Sequence, residues 1–332
     1  MIDDTARSRA PWRIAAGLAL ATAGGVGALA LGNWLARLGV GEPTSPLSGE
    51  SGLYAWTRGA VRYTVKGRGE PLVLLHGIYP GASSFEYRRV FDRLAERYRV
   101  FALDLLGFGQ SERPAIDYTP ALYVELIEDF LQQVVGANDQ PALVLASGLS
   151  AGYAILAAAN RPRQFSRLIL IEPGPLTDET RPEVDVAQVA RRALLRAPLL
   201  GESLYNLSVS RLGLRWRLGS SAYSSTAAVS DDILDHYHTT AHQPGARFAS
   251  ADALSGALLT PISDAFASLT IPVLLIWGRN DHSAPTSLSR DYIERRPETE
   301  LRLFPTGSMP QEEAPDAFLR EALLWLRDKA QV

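Results

Sequence analysis

The chain has 332 residues, 46% of them hydrophobic and 21% charged, which is typical of a globular protein with one large domain and an insertion, or of two small domains. The net charge of -3 argues against a basic surface for nucleic acid. The lack of cysteine excludes disulfide bonds, cysteine-based zinc sites and a cysteine nucleophile.

The N-terminal region contains an uncharged run, residues 14–36, preceded by three arginines. A helix rises about 1.5 Å per residue, so this run is long enough for a hydrocarbon core of about 30 Å. The arginines favour a cytoplasmic N-terminus. We therefore expect a cytoplasmic tail, a transmembrane helix, a linker and an extracytoplasmic domain over residues 1–13, 14–36, 37–57 and 58–332.

Two alternatives remain open for this run. The small residues Ala28-Leu29-Ala30 resemble a cleavage site, so the run can instead be a signal peptide that is removed. It can also be a helix buried against the rest of the protein or against a partner.

The remainder of the chain alternates between strands and helices. Apolar runs and period-two alternation predict strands at 60–66, 71–75, 100–103, 142–146, 168–171, 272–276 and 301–304. Helical spacing predicts helices at 86–97, 119–135, 151–160 and 310–329. This order indicates an α/β fold with a mostly parallel sheet covered by helices on both faces. The helix-like block at about 175–262 interrupts the order, and we expect it to cap the ligand-binding edge of the sheet.

A candidate nucleophile follows the strand at 142–146. The pattern Gly148-x-Ser150-x-Gly152 is typical of a nucleophile elbow, in which small residues flank a serine on a sharp strand-to-helix turn. Ser150 is then the nucleophile, and the amide of Ala151 faces the developing oxyanion. The alternative is an ordinary strand–helix turn.

A second oxyanion donor is expected where the strand at 71–75 ends. The residues His76-Gly77-Ile78 follow it directly, and the amide of Ile78 is the candidate donor. We expect His76 itself to bond the loop backbone rather than act as a base.

The chain resembles the α/β-hydrolase superfamily over residues 60–329, because further segments match its motifs: 104–111, Arg161-Pro162 and 277–285. It is most similar to the capped esterase, haloperoxidase and haloalkane-dehalogenase-like branch, although a serine at the elbow argues against a dehalogenase. The resemblance implies the α/β-hydrolase fold, with an eight-stranded type of sheet and an inserted helical cap. It also implies that Asp281 is the triad acid, with Glu172 as the alternative, and that no cofactor is needed.

The catalytic histidine is missing from its expected position. Gly307, Pro310, Glu313 and Pro315 match the family's last loop, and Ser308 occupies the position of the histidine. A triad without its base loses up to about 10⁶-fold in rate.

The remaining histidines offer two substitutes, or else they are ordinary polar or capping residues without a catalytic role. His242 in the cap is the tentative base, and His282 beside the acid is the other option. His238 and His242 lie four residues apart and share a helix face, but no third ligand is evident, so we expect no metal site.

Two functions of different classes follow. The first is a membrane-anchored serine hydrolase of the esterase or lipase type with a degenerate triad, acting on a small apolar or ester-like molecule. The alternative is a non-catalytic pseudo-hydrolase that binds an apolar ligand or a protein partner. Different chemistry on the same fold, such as that of a lyase or transferase, has no support beyond the altered triad.

Overall fold

The structure, a computed structural model, describes residues 10–176, 185–281 and 284–329, with side chains from residue 24 to residue 327 within these ranges. The strands are β1 Glu50–Trp56, β2 Gly59–Lys66, β3 Pro71–Leu75, β4 Arg99–Leu103, β5 Ala142–Ser147, β6 Phe165–Ile171, β7 Val273–Gly278 and β8 Glu300–Phe304. The helices are α1 Ala10–Arg37, α2 Phe91–Ala95, α3 Pro120–Phe130, α4 Leu149–Asn160, α5 Val186–Arg196, α6 Leu200–Ser208, α7 Arg211–Ser221, α8 Asp231–Ala241, α9 Ala246–Ser255, α10 Ser263–Ser268, α11 Ser287–Arg295, α12 Pro310–Glu313 and α13 Pro315–Lys329.

The eight strands form one sheet in the order β1-β2-β4-β3-β5-β6-β7-β8. The first two pairings, β1 with β2 and β2 with β4, are antiparallel, and the others are parallel. The central strands β3, β5 and β7 are buried along their whole length, as their continuous apolar runs require. This confirms the predicted mostly parallel sheet.

Helices cover both faces of the sheet. On one face, α3 and α4 pack together, and Tyr123 stacks on Tyr153 with 5.5 Å between ring centroids. On the other face, Phe91 of α2 and Phe318 of α13 lie in a second core. Complete burial of a side chain of this size stabilises the fold by about 1.5–3 kcal/mol.

The cap follows β6 and precedes β7. The five helices α5 to α9 form it between residues 186 and 255, within the predicted block at about 175–262. Its own small core includes Leu214, Tyr223 and Tyr237. Asp252 of α9 is completely buried and accepts ion-pair contacts from Arg192 and Arg196 of α5, which holds these helices together.

Two elements differ from the prediction. Residues 50–56, assigned to the linker, form β1, whose Tyr54 and Trp56 are buried on the sheet while Leu53 is exposed. The predicted helix at 86–97 is shortened to α2, because Glu86 and Tyr87 lie in a preceding 3₁₀ turn and are buried there.

The prediction of a membrane-anchored protein with an extracytoplasmic hydrolase domain is wrong. Among the residues searched, which are those the structure describes, no helix is long and apolar enough to span a membrane. The C-terminal part of α1 instead docks on the cap. Asn33 is buried and donates to the carbonyl of Leu199 at 3.1 Å, and Arg37 forms an ion pair with Glu202 at 2.6 Å.

Candidate active-site cavity

The turn between β5 and α4 contains a single residue, Gly148. Its backbone angles, φ 55° and ψ -132°, lie in the left-handed half of conformational space that side chains rarely adopt. This is the sharp, strained strand-to-helix turn that presents the nucleophile in this fold. Such a turn requires small residues two positions before and two positions after its tip. Ala146 and Ser150 occupy these positions relative to Gly148. We therefore assign Gly148, rather than Ser150, to the nucleophile position.

Ser150 lies inside α4, two residues after the elbow. It has no exposed surface, and its Oγ donates a hydrogen bond to the backbone carbonyl of His76 at 2.6 Å. The hydroxyl is therefore committed to joining α4 to the end of β3. Ser150 is also absent from the residues that line the cavity at this edge of the sheet. This geometry does not support the predicted nucleophilic role.

The shift of the elbow tip from Ser150 to Gly148 also changes one of the two expected oxyanion donors. The amide of Ala151 already donates to the carbonyl of Gly148 at 3.0 Å, so it cannot serve an external oxyanion. With Gly148 at the tip, the amide of the following residue, Leu149, takes that place. Neither Leu149 nor Ile78 has a hydrogen-bond partner for its amide among the described residues, and both residues line the cavity. The role of Ile78 as an oxyanion donor stays a prediction.

Ser308 lies at the cavity wall, where the histidine of the family pattern is expected. Its Oγ donates to the carbonyls of Ser221 and Ala222 in the cap, at 3.3 and 3.2 Å. The side chain thus contacts the cap instead of providing a base.

Both candidate acids occupy the site together. Glu172 follows β6 with a positive φ of 45°, and its Oε1 accepts the amide of Gly278 at 2.7 Å. Burial, followed by the hydrogen bond and charge of Asp281, raises the pKa of Glu172 to about 10. Glu172 is therefore protonated at neutral pH, and its side chain is hydrogen-bonded to Asp281. Asp281 is buried and accepts the amide of Ala284 at 3.1 Å.

None of the histidines that the structure describes replaces the missing base. His76 is completely buried, with its Nδ1 2.7 Å from the carbonyl of Gly77, and its Nε2 accepts the amide of Leu105 at 3.0 Å, in agreement with a structural role. His242 is buried at the end of α8, bonds the carbonyl of His238 through Nδ1 at 2.8 Å, and does not line the cavity. His282 lies outside the described residues. Within the described ranges, no cluster of three or more potential ligands could hold a metal ion.

A buried polar network supports the loop that carries Ile78. Glu86 has no exposed surface, and it accepts the amide of Gly77 at 3.0 Å and the hydroxyl of Tyr79 at 2.8 Å. The hydroxyl of Tyr79 also lies 2.9 Å from that of Tyr237 in the cap. Burial raises the pKa of Glu86 to about 8, so its carboxyl is mostly protonated at neutral pH.

The cavity between the sheet edge and the cap has a volume of about 510 Å³. Its lining is mainly apolar, and the polar side chains that line it include Glu172, Arg217 and Ser308. A narrower branch of about 140 Å³ shares four of its lining residues and continues between α4 and the segment before α10, past Gly152. Together they are large enough for a small organic molecule.

The family model described as "Alpha/beta hydrolase family" matches residues 72–321. The chain belongs to the alpha/beta hydrolase family. It is 27% identical to an uncharacterised protein of Mycobacterium tuberculosis over 77% of this chain and 75% of that protein. It is 28% identical to the magnesium-chelatase 30 kDa subunit of Rhodobacter capsulatus, over 78% of this chain and 87% of that protein.

A solved structure of a serine hydrolase involved in carbazole degradation has the same fold. Its TM-score is 0.68 at 20% sequence identity, covering 84% of this chain and 98% of the other. At this identity the likeness shows the fold alone, so the chemistry of the site must be argued from the residues present.

Two residues of this cavity, Gly148 at the tip of the elbow and Arg217 in the cap, have roles that were not predicted from the sequence. Two overlapping patterns fit the elbow: Gly148-x-Ser150-x-Gly152, with Ser150 at the tip, and Ala146-x-Gly148-x-Ser150, with Gly148 at the tip. Both have small residues on either side of the tip, so Gly148 was assigned as a flanking residue. A predicted strand that ended at Ser147 instead of Ala146 would have placed Gly148 at the tip of the turn. Arg217 was missed because the cap has no motif, and helical spacing does not reveal which face of a cap helix meets the cavity.

Proposed function

We propose that this chain is a non-catalytic member of the alpha/beta hydrolase family that binds an apolar small molecule beneath its cap. The observation that carries this proposal is Gly148 at the tip of the elbow, because a glycine there supplies no nucleophilic atom. Fold membership alone does not establish hydrolysis, since one fold supports many functions.

The loss of catalytic groups is not limited to one position. Ser308 replaces the base, and Ser150 is held by the carbonyl of His76 inside the core. In a cooperative triad, loss of the nucleophile or the base costs up to about 10⁶-fold in rate. The serine-hydrolase function therefore has little support from this geometry.

The binding features, in contrast, are retained. The cavity of about 510 Å³ is mainly apolar, and the elbow and the Ile78 loop still offer two backbone amides that have no partner within the described ranges. A cavity of this size and composition is typical of small-molecule sites.

Covalent labelling tests the absence of catalysis. The wild-type protein and Ser150→Ala are incubated with a fluorophosphonate probe, and intact masses are measured. We expect no adduct on either protein. A stoichiometric adduct on the wild type that disappears in Ser150→Ala would overturn the proposal and restore Ser150 as a nucleophile.

Ligand binding is tested separately with the neutral dye Nile red. We expect saturable binding, and Leu259→Arg, which adds a charge to the apolar cavity wall at a partly exposed residue, should weaken it at least about tenfold. Leu303→Arg is the matched control, because Leu303 is an exposed residue of β8 that does not line the cavity. Equal binding by both variants would contradict binding in this cavity.

A further inference from the structure

The cavity contains a cationic group with an unpartnered nitrogen. Arg217 projects from the cap helix α7, and its Nε is buried with no hydrogen-bond partner in the part of the chain that the structure describes. Among the described residues, Arg217 forms no ion pair. Its neighbours Arg211 and Arg215 on the same helix face solvent and pair with Asp235 and Asp231. A buried donor of this kind is unfavourable unless a ligand or another group supplies its hydrogen-bond partner.

The one carboxyl group among the described lining residues of this cavity is neutral at pH 7. Glu172 is the carboxyl group that lines the same cavity, and its raised pKa of about 10 keeps it protonated at neutral pH. Burial also lowers the pKa of Arg217, although an arginine remains charged in proteins. Arg217 is then the single charged side chain among the described lining residues.

Two further N–H groups lie in the same cavity. The amides of Ile78 and Leu149 have no partner among the described residues, and Leu149 is the first residue of the twelve-residue helix α4. Helix N-termini favour negative charge. All three donors, together with an apolar wall, suit a ligand with one anionic end and one apolar end.

We propose that the ligand of this cavity is an amphipathic monoanion, an aliphatic or aryl-aliphatic carboxylate whose head contacts Arg217 and whose chain enters the branch lined by Leu258, Pro261 and Ile262. This inference rests on the proposed binding function. A monoanion matches the single positive charge, whereas a phosphate monoester would leave a second negative charge buried without a partner. The guanidinium is planar and suits bidentate contact with a carboxylate.

The test compares decanoate with decan-1-ol by isothermal titration calorimetry at pH 7.5. A hydrogen bond to a charged group contributes about 1.5–3 kcal/mol. We therefore expect decanoate to bind the wild type about 10- to 100-fold more tightly than decanol. Arg217→Gln should reduce this ratio to about one while leaving decanol binding unchanged.

Two variants separate the inference from general effects on the cap. Arg215→Gln, two residues away on the exposed face of α7, should retain the full preference for decanoate. Arg217→Lys keeps the positive charge and should retain part of the preference for decanoate. This variant tests the inference even if Arg217→Gln disturbs folding. Equal binding of decanoate and decanol by the wild type, or equal preferences in Arg217→Gln and Arg215→Gln, would overturn the inference alone. Binding of neither compound would overturn both this inference and the proposed binding function.

Discussion

The Oγ of Ser150 donates a 2.6 Å hydrogen bond to the backbone carbonyl of His76, and this contact joins the first turn of α4 to the end of β3. Both groups are completely buried. The serine therefore acts as a structural link beneath the elbow, while the tip of the elbow carries no side chain.

This contact predicts the behaviour of Ser150→Ala. Removal of the hydroxyl leaves the buried carbonyl of His76 without this partner, so we expect a loss of about 1–3 kcal/mol in the free energy of unfolding. Nile red binding should be unchanged, because Ser150 does not line the cavity. Urea denaturation and dye titration measure the two quantities. Unchanged stability with impaired binding would contradict the structural role.

Restoration of the missing groups should create activity. A side chain at Gly148 has room, because a Cβ there would meet nothing closer than the Cα of Gly77 at 3.8 Å. We expect Gly148→Ser combined with Ser308→His to hydrolyse p-nitrophenyl esters about 10²–10⁴-fold faster than the wild type, since a positioned base is worth that much.

The control for this experiment is Gly148→Ala with Ser308→His, which has the base but no nucleophile and should remain near the wild-type rate. Each single variant should also remain there, because triad members act together. If Ser308→His alone produced the whole gain, a nucleophile other than residue 148 would be at work.

Buried Glu86 predicts a dependence of stability on pH. Its pKa is raised by burial from 4.5 to about 8 in the folded chain, so between these values the folded state holds a proton that the unfolded state has released. The stabilisation is complete below about pH 4.5 and is lost as the pH rises through 8. The free energy of unfolding should fall by up to about 1.4 kcal/mol per pH unit in this window.

Glu86→Gln should reduce this slope. The amide can still accept from Gly77 and contact Tyr79, and it has no proton to lose. Glu172 and Glu312, with pKa values raised to about 10 and about 7, contribute in the same direction and remain. Denaturation of both proteins from pH 5 to pH 8 gives the comparison, with the exposed Glu96→Gln as control. Parallel curves for wild type and Glu86→Gln would refute this assignment.

The docking of α1 on the cap depends on Asn33. Its Oδ1 accepts from Ser203 at 3.0 Å and from Asn206 at 3.1 Å, in addition to its own bond to Leu199. Asn33→Ala should weaken docking by about 1–3 kcal/mol and speed amide hydrogen exchange in residues 24–37. Arg37→Ala removes a partly exposed ion pair and should have a smaller effect. Equal exchange in wild type and Asn33→Ala would show that α1 is held by other contacts.

The sheet could be predicted because its strands are continuous apolar runs that must be buried on both faces. The first strand was missed, although Tyr54 and Trp56 alternate with exposed neighbours, because nearby Gly, Pro and Ser suggested a linker. The anchor prediction rested on the length of the run, its lack of charge and the arginines that precede it. Polar contacts such as those of Asn33 become visible only when the opposing cap helix is known.

The site was only partly predictable for a related reason. The position of Ser308 could be inferred because Gly307 and Glu313 align in sequence, and the structure places Ser308 in the cavity wall. Gly148 and Ser150 lie two residues apart, and the elbow pattern fits with either residue at the tip, because small residues flank both. The backbone angles of Gly148 and the bond from Ser150 to His76 distinguish the two patterns, whereas the sequence signals the difference only through the exact end of the preceding strand.

The junction between the last loop and the cap has a consequence for the timing of ligand exchange. The carboxylate of Glu313 accepts the amides of both Gly307 and Ser224, at 2.8 and 3.0 Å, and a Cβ on Gly307 would lie 2.6 Å from the carbonyl of Ala222. The backbone at Gly307 therefore packs directly against the backbone of the cap at Ala222. A ligand that enters past this edge can do so only after these two segments separate. The observed association rate by this route should reach a plateau at high ligand concentration, because opening of the cap then limits it. The residence time of the ligand should depend more on the opening rate of the cap than on the chemistry of the ligand.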